Sequence, residues 1–308
     1  MGDWLLIASR LALYLDLGLL FGVPLFGLYA LKGDERSDVV PFRRLVAVLA
    51  GFGIVSSLFG FALLAAAMSG TDLTGIESAT LTMLLGETSV GWAFIAREVA
   101  LVLALAVAIL LRRRGPTLFI LASVLGAIAV ATLAWAGHGA ASEGGLGIFH
   151  LTSDIAHLLA ASAWLGALAM LGLMLLPGRA AQIEHVRIVH RALAGFATVG
   201  SIFVGLIVLT GVVNGLFLIG LENLGSLGSS LYGQLMIAKL LLFSAMVALA
   251  ASNRFRLAPD LERSLDAAEP VVALRALRRS LAFETGCAIA VLALVAWLGT
   301  LEPPMSAT

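Results

Sequence analysis

Three of the five histidines, His138, His150 and His157, fall in one stretch, GHGAASEGGLGIFHLTSDIAHLLAASAWLGAL, from Gly137 to Leu168. A polar ring inside an apolar run must face a partner or a cavity. Imidazole suits copper or zinc. With a helix beginning near His150, the residues His150, Asp154, His157 and Trp164 recur at intervals of four, three and seven, which puts them on one face. His157 then sits about 10 Å below His150 at a rise of about 1.5 Å per residue. Beside that face runs a ridge of small residues, Ala156, Ala160, Ala163 and Ala167, that lets a neighbouring helix come close. Asp154 is placed to orient an imidazole or to add charge.

Sulfur ligands are scattered. Met68 and Met83 flank the end of one apolar run and its loop, and Met236 opens another. Met170 and Met174 lie lower on the helix of His157, and Cys287 lies within the last run. Thioethers favour Cu(I), although a methionine also serves as ordinary core filler. The expected site joins His138 to His157 across the glycine-rich loop, with His150, Met68, Met83 or Met236 completing the set. His185 and His190 sit in a basic linker, where a solvated or headgroup role is expected.

Six charged residues lie within apolar runs: the bases Arg10, Arg97 and Lys239 and the acids Asp16, Glu98 and Glu284. Even on the mildest scale an unpaired charge in lipid costs about 2.5–3.5 kcal/mol. The six either neutralise one another as interhelical glue, or the acids line an ion or proton path. Arg10, Arg97 and Lys239 are expected to point into the bundle, each near a carboxylate or carbonyl, with Asp16 and Glu98 the nearest acids by depth.

These residues need a membrane scaffold. The 308-residue chain is 60% hydrophobic and 12% charged, against about 25% charged in soluble domains. Zero net charge argues against nucleic acid as a partner, and a single cysteine excludes an internal disulfide. The N-terminus lacks the pattern of a cleaved signal. No nucleotide loop, nucleophile elbow or zinc-protease helix occurs.

Eight apolar runs are long enough to span, near 5–31, 45–68, 90–111, 118–136, 151–176, 193–221, 231–251 and 281–301. Sixteen of the 19 Lys and Arg residues fall in alternate loops. The positive-inside rule makes those loops cytoplasmic and puts both termini outside. The outer side carries only acids, among them Asp72, Glu77, Glu87, Glu143 and Glu222. That surface either gathers cations or reflects the sorting of bases alone. The linker from Asn253 to Arg279 is expected to hold an interfacial helix.

GHGAA followed by HLTSDIAHLLAASAWLGAL resembles the bacterial copper resistance protein D (CopD) family of inner-membrane copper transport proteins. FATVGSIFVGLIVLTGVVNG, YGQLMIAKLLLFSAMVALAASNRFRLAP, LRRSLAFETG and WLGTLEPP agree in order, so the likeness covers nearly the whole chain. The resemblance implies copper movement through the inner membrane. It also implies a separate periplasmic CopC-type partner, since the chain carries no such domain. The expectation is therefore one all-α domain, 1–308, of eight spans. It takes copper from periplasm to cytoplasm through an outer histidine site and is not an enzyme. The alternative is a b-type cytochrome, which needs two histidines on facing helices at one depth to ligate haem.

Overall fold

The computed structural model describes residues 2–33, 35–111, 115–136, 144–176, 183–223, 225, 227–267 and 270–304. Among them the chain is all helical: α1 Gly2–Ala30, α2 Glu35–Val39, α3 Phe42–Ser69, α4 Ser78–Glu87, α5 Ser89–Leu110, α6 Pro116–Ala131, α7 Gly144–Met174, α8 Ile183–Leu218, α9 Leu231–Ser252, α10 Ala258–Asp266 and α11 Val271–Leu298. Eight helical segments are long and apolar enough to cross a membrane: α1, α3, α5, α6 together with the 3-10 turn Thr132–Ala136 that continues it, α7, α8, α9 and α11. In hydrocarbon a helix satisfies its own backbone, which is why these apolar runs take that form. The protein is a multi-pass membrane protein.

Local chemistry sets the ends. Thr88 and Ser230 cap α5 and α9, accepting from the amides of Gly91 and Gly233 at 3.0 and 3.1 Å. Gly70, at φ +64°, ends α3 in the left-handed conformation that a side chain resists. Pro116 starts α6, where its missing amide costs nothing.

The spans lie where hydropathy put them, but α7, α8 and α11 start seven to ten residues earlier than expected. Hydropathy marks where hydrocarbon begins. The hydrogen-bonded helix continues into the headgroup zone. The short α4 is an addition to the expected set: its Leu84 is buried on Phe61, Ala65 and Phe94. The last linker holds a helix, α10, where one was expected.

α1 stands between two half-bundles. One core joins it to α3, α5 and α6, the other to α7, α8 and α11. Its closest approach is to α7, where Gly22 and Gly166 meet so tightly that a methyl on either would strike the other's backbone. The predicted alanine ridge is buried beside this crossing at Ala160, Ala163 and Ala167. α8 and α9, by contrast, barely touch, so a cleft separates them.

Both chain ends lie at one end of the bundle. Arg10 donates to the carbonyl of Gly299, and Trp4 packs on Trp297 with ring centroids 5.8 Å apart. The basic loops lie at the other end and do structural work there. Arg36 donates to the Gly27 carbonyl at 3.0 Å, Arg43 to Ala108 at 3.1 Å, and Arg278 to Leu175 at 2.5 Å. Each guanidinium thus neutralises the negative C-terminal end of α1, α5 or α7.

Candidate functional site

A cavity of about 490 Å³ opens among α1, α7, α8, α9 and α11, with Leu133 closing one side. The predicted face of α7 lines it with His150, Asp154, His157 and Trp164. α9 adds Tyr232, Met236, Lys239 and Met246, and α1 adds Arg10 and Tyr14. Five of the expected site residues therefore share one chamber with Arg10: His150, Asp154, His157, Met236 and Lys239.

α8 holds the polar face of α7 in register. His150 stacks on Phe217, ring centroids 4.5 Å apart and planes 5° from parallel. Asp154 Oδ1 accepts from Asn214 Nδ2 at 3.1 Å. His157 Nδ1 lies 2.9 Å from Thr210 Oγ1. The partners Phe217, Asn214 and Thr210 repeat the three-and-four spacing of the α7 residues in antiparallel order, so each pair sits one turn from the next.

The threonine holds the imidazole through one ring nitrogen. Thr210 Oγ1 also bonds the Leu206 carbonyl at 2.6 Å. With its proton on that carbonyl, the hydroxyl accepts from His157 Nδ1–H, and the tautomer that matches this arrangement has its lone pair on Nε2. Gly211, whose added methyl would lie 3.5 Å from His157 Cε1, leaves the ring uncrowded.

Lys239 lies within range of the Asp154 charge. Lys239 and Asp154 line the same cavity, and among the described residues no carboxylate comes within ion-pair distance of Lys239. Arg10 meets the expectation of a carbonyl partner at Gly299.

Other expected residues lie elsewhere. Arg97 is buried in the α1–α3–α5 half, its Nε donating to Ser57 Oγ at 2.8 Å with Glu98 beside it. Asp16 is 3% exposed against Gly53, and neither carboxylate oxygen has a hydrogen-bond partner among the described residues. Glu284 is buried on α11. Met68 and Met83 are exposed, and the structure does not bring them to the cavity. Met170 and Met174 are fully buried core. His185, expected to be solvated, bonds the Met174 carbonyl at 2.8 Å at the end of α7. His190 stands 3.9 Å from Glu262.

His138 lies outside the described residues, and so does its expected meeting with His157. Among the described residues no three His, Cys, Asp or Glu side chains gather closely enough to hold a metal ion. His150 and His157 share one helix, so these two cannot supply the facing pair that the haem alternative requires.

Sequence reasoning overlooked Thr210, Asn214, Tyr14, Tyr232 and Met246. The first two were findable: a threonine and an asparagine four apart in the apolar run LTGVVNGLF form one polar edge of a helix.

Two family models match the chain: copper resistance protein D-like, N-terminal domain, over residues 1–148, and copper resistance protein D over residues 190–298. The chain is 45% identical to copper resistance protein D of Pseudomonas syringae pv. tomato, over 100% of this chain and 99% of that protein. It is 28% identical to the inner membrane protein YebZ of Escherichia coli (strain K12), over 96% of this chain and 98% of that protein. No solved structure matches it significantly. With two family models over most of its length and a relative 45% identical from end to end, this membrane bundle belongs to the copper resistance protein D family, which supports a role in copper resistance and transport.

Proposed function

We propose that the protein carries copper ions through the bacterial inner membrane, from the periplasm to the cytoplasm, and that the chamber beneath the chain ends is the entry site. The observation that supports this most is the His157 ring, held at Nδ1 by Thr210 on the wall of a cavity that Met236 also lines. Imidazole with thioether suits Cu(I). Asp154 supplies a carboxylate beside them, tied by Asn214. His150 and His138 remain further ligand candidates of this reading. The cations Lys239 of α9 and Arg10 of α1, which line the same cavity, keep binding weak enough for the ion to leave, as a transmembrane route requires.

No bond-making chemistry is needed, so the protein acts as a channel or carrier rather than an enzyme. A separate periplasmic copper-binding protein of the CopC type would deliver the ion to the end bearing the termini.

Copper accumulation in inner-membrane vesicles tests the reading. Purified His157→Ala protein should insert and fold like the parent and fail to accumulate copper. Parent-like accumulation by that variant would remove His157 from the route.

A further inference from the structure

A second cavity, of about 260 Å³, lies toward the basic-loop end, among α7, α8, α9, α11 and the segment after α9. Trp164 lines both this cavity and the larger one, and no other residue does. Its indole therefore lies where the two cavities come together. The ring is 3% exposed and is fixed on two sides. Nε1 donates to Glu284 Oε1 at 2.9 Å, and Phe243 of α9 meets it edge-on at 6.1 Å.

Glu284 is 1% exposed and its second oxygen is also taken: Oε2 accepts from Asn253 Nδ2 at 2.8 Å. Asn253 opens a five-residue π-helical turn, Asn253–Leu257, between α9 and α10. Wider turns of this kind cluster at functional sites in helices and are locally less regular than the α-helix on either side. The chain Trp164–Glu284–Asn253 thus ties the boundary between the cavities to the π turn that follows α9.

We propose that Trp164 is the gate between two half-channels and that Glu284 is both its latch and the next station for the ion. With the indole–carboxylate bond made, the route is closed at mid-bundle. A shift of the π turn that draws Asn253 and Glu284 away releases the ring. The same shift frees a carboxylate at the divide, where a cation leaving the imidazole and thioether groups meets the dry middle of the membrane. An acidic oxygen is the natural compensating charge at that depth. The inference rests on the transport reading above, but the latch can be tested without copper.

The test uses a Cys287→Ser background carrying Val291→Cys, a position on the larger cavity. A membrane-impermeant thiol reagent is applied to vesicles of either orientation. With Trp164 intact, the thiol should react only from the end bearing the termini. Trp164→Ala should abolish that sidedness, and Glu284→Gln, which keeps the shape but weakens the acceptor, should abolish it in part. Trp164→Phe keeps a ring without the N–H and serves if the alanine variant does not fold. Reaction from both sides with Trp164 intact, or unchanged sidedness in a folded Trp164 variant, overturns the gate. A lost sidedness together with absent copper uptake in the parent would leave the gate standing and reject the transport reading instead.

Discussion

His157 Nδ1 lies 2.9 Å from the Thr210 hydroxyl, and that hydroxyl donates to the Leu206 carbonyl at 2.6 Å. With the hydroxyl proton on that carbonyl, the threonine favours the imidazole tautomer whose lone pair is on Nε2. Thr210→Val keeps the shape and removes the acceptor. It should lower copper transport by about 10–100-fold, the usual loss when a group orienting a metal-binding histidine is removed. Thr210→Ser should retain most of it. The check is the initial rate of copper uptake at matched protein levels.

The crossing of α1 and α7 should tolerate no side chain. Gly166→Val drives a branched side chain into the Gly22 backbone. Overpacking typically costs about 1–3 kcal/mol, and rigid backbone on both sides puts this site at the upper end. Thermal unfolding of the detergent-solubilised protein should show a lower Tm, while Gly172→Ala, which has open space, should be silent.

Two buried acids should respond oppositely to the same change. Both Glu284 oxygens accept a hydrogen bond, so Glu284→Leu leaves the Trp164 and Asn253 donors without acceptors. Each abandoned buried donor costs about 1–3 kcal/mol. Neither Asp16 oxygen has such a partner among the described residues. Asp16→Leu should therefore leave Tm unchanged or raise it, since an unsatisfied polar group is exchanged for an apolar one of similar size. Equal destabilisation by the two changes would contradict this account.

Segregation of the basic residues predicts that reporters fused to either chain end register the periplasm and that one placed in the 112–114 loop registers the cytoplasm. The shared position of the two ends, shown by the Arg10–Gly299 bond, requires only that both reporters agree. A cytoplasmic signal from both would invert the assignment of compartments, and a split signal would contradict the bundle.

Much of this was legible because lipid imposes simple demands. Apolar length gave the eight spans, and helical spacing gave the face of His150, Asp154, His157 and Trp164. Partners across helices were not legible. Nothing in the spacing of α7 says that Thr210 rather than another residue meets His157, since that depends on how far α8 slides along α7. The same holds for Lys239, which shares a cavity with Asp154 and not with Asp16 or Glu98. Met68 and Met83 share a helix end with other outer residues, but they belong to the half-bundle on the far side of α1. Sequence depth fixes height in the membrane; it does not fix the position around the bundle.

The chamber draws its walls from α1 and α11, the first and the last of the eight spans in chain order. During synthesis the earlier span must wait beside the growing chain until the later one arrives and Gly299 reaches Arg10. Chains are made from the N-terminus and their parts assemble in that order. A chain lacking α11 would lack one wall of the chamber, with the charged groups on its other walls left without that cover. Closure of the chamber is therefore a late event in folding, and loss of the last span is a defect of assembly before it is a defect of function.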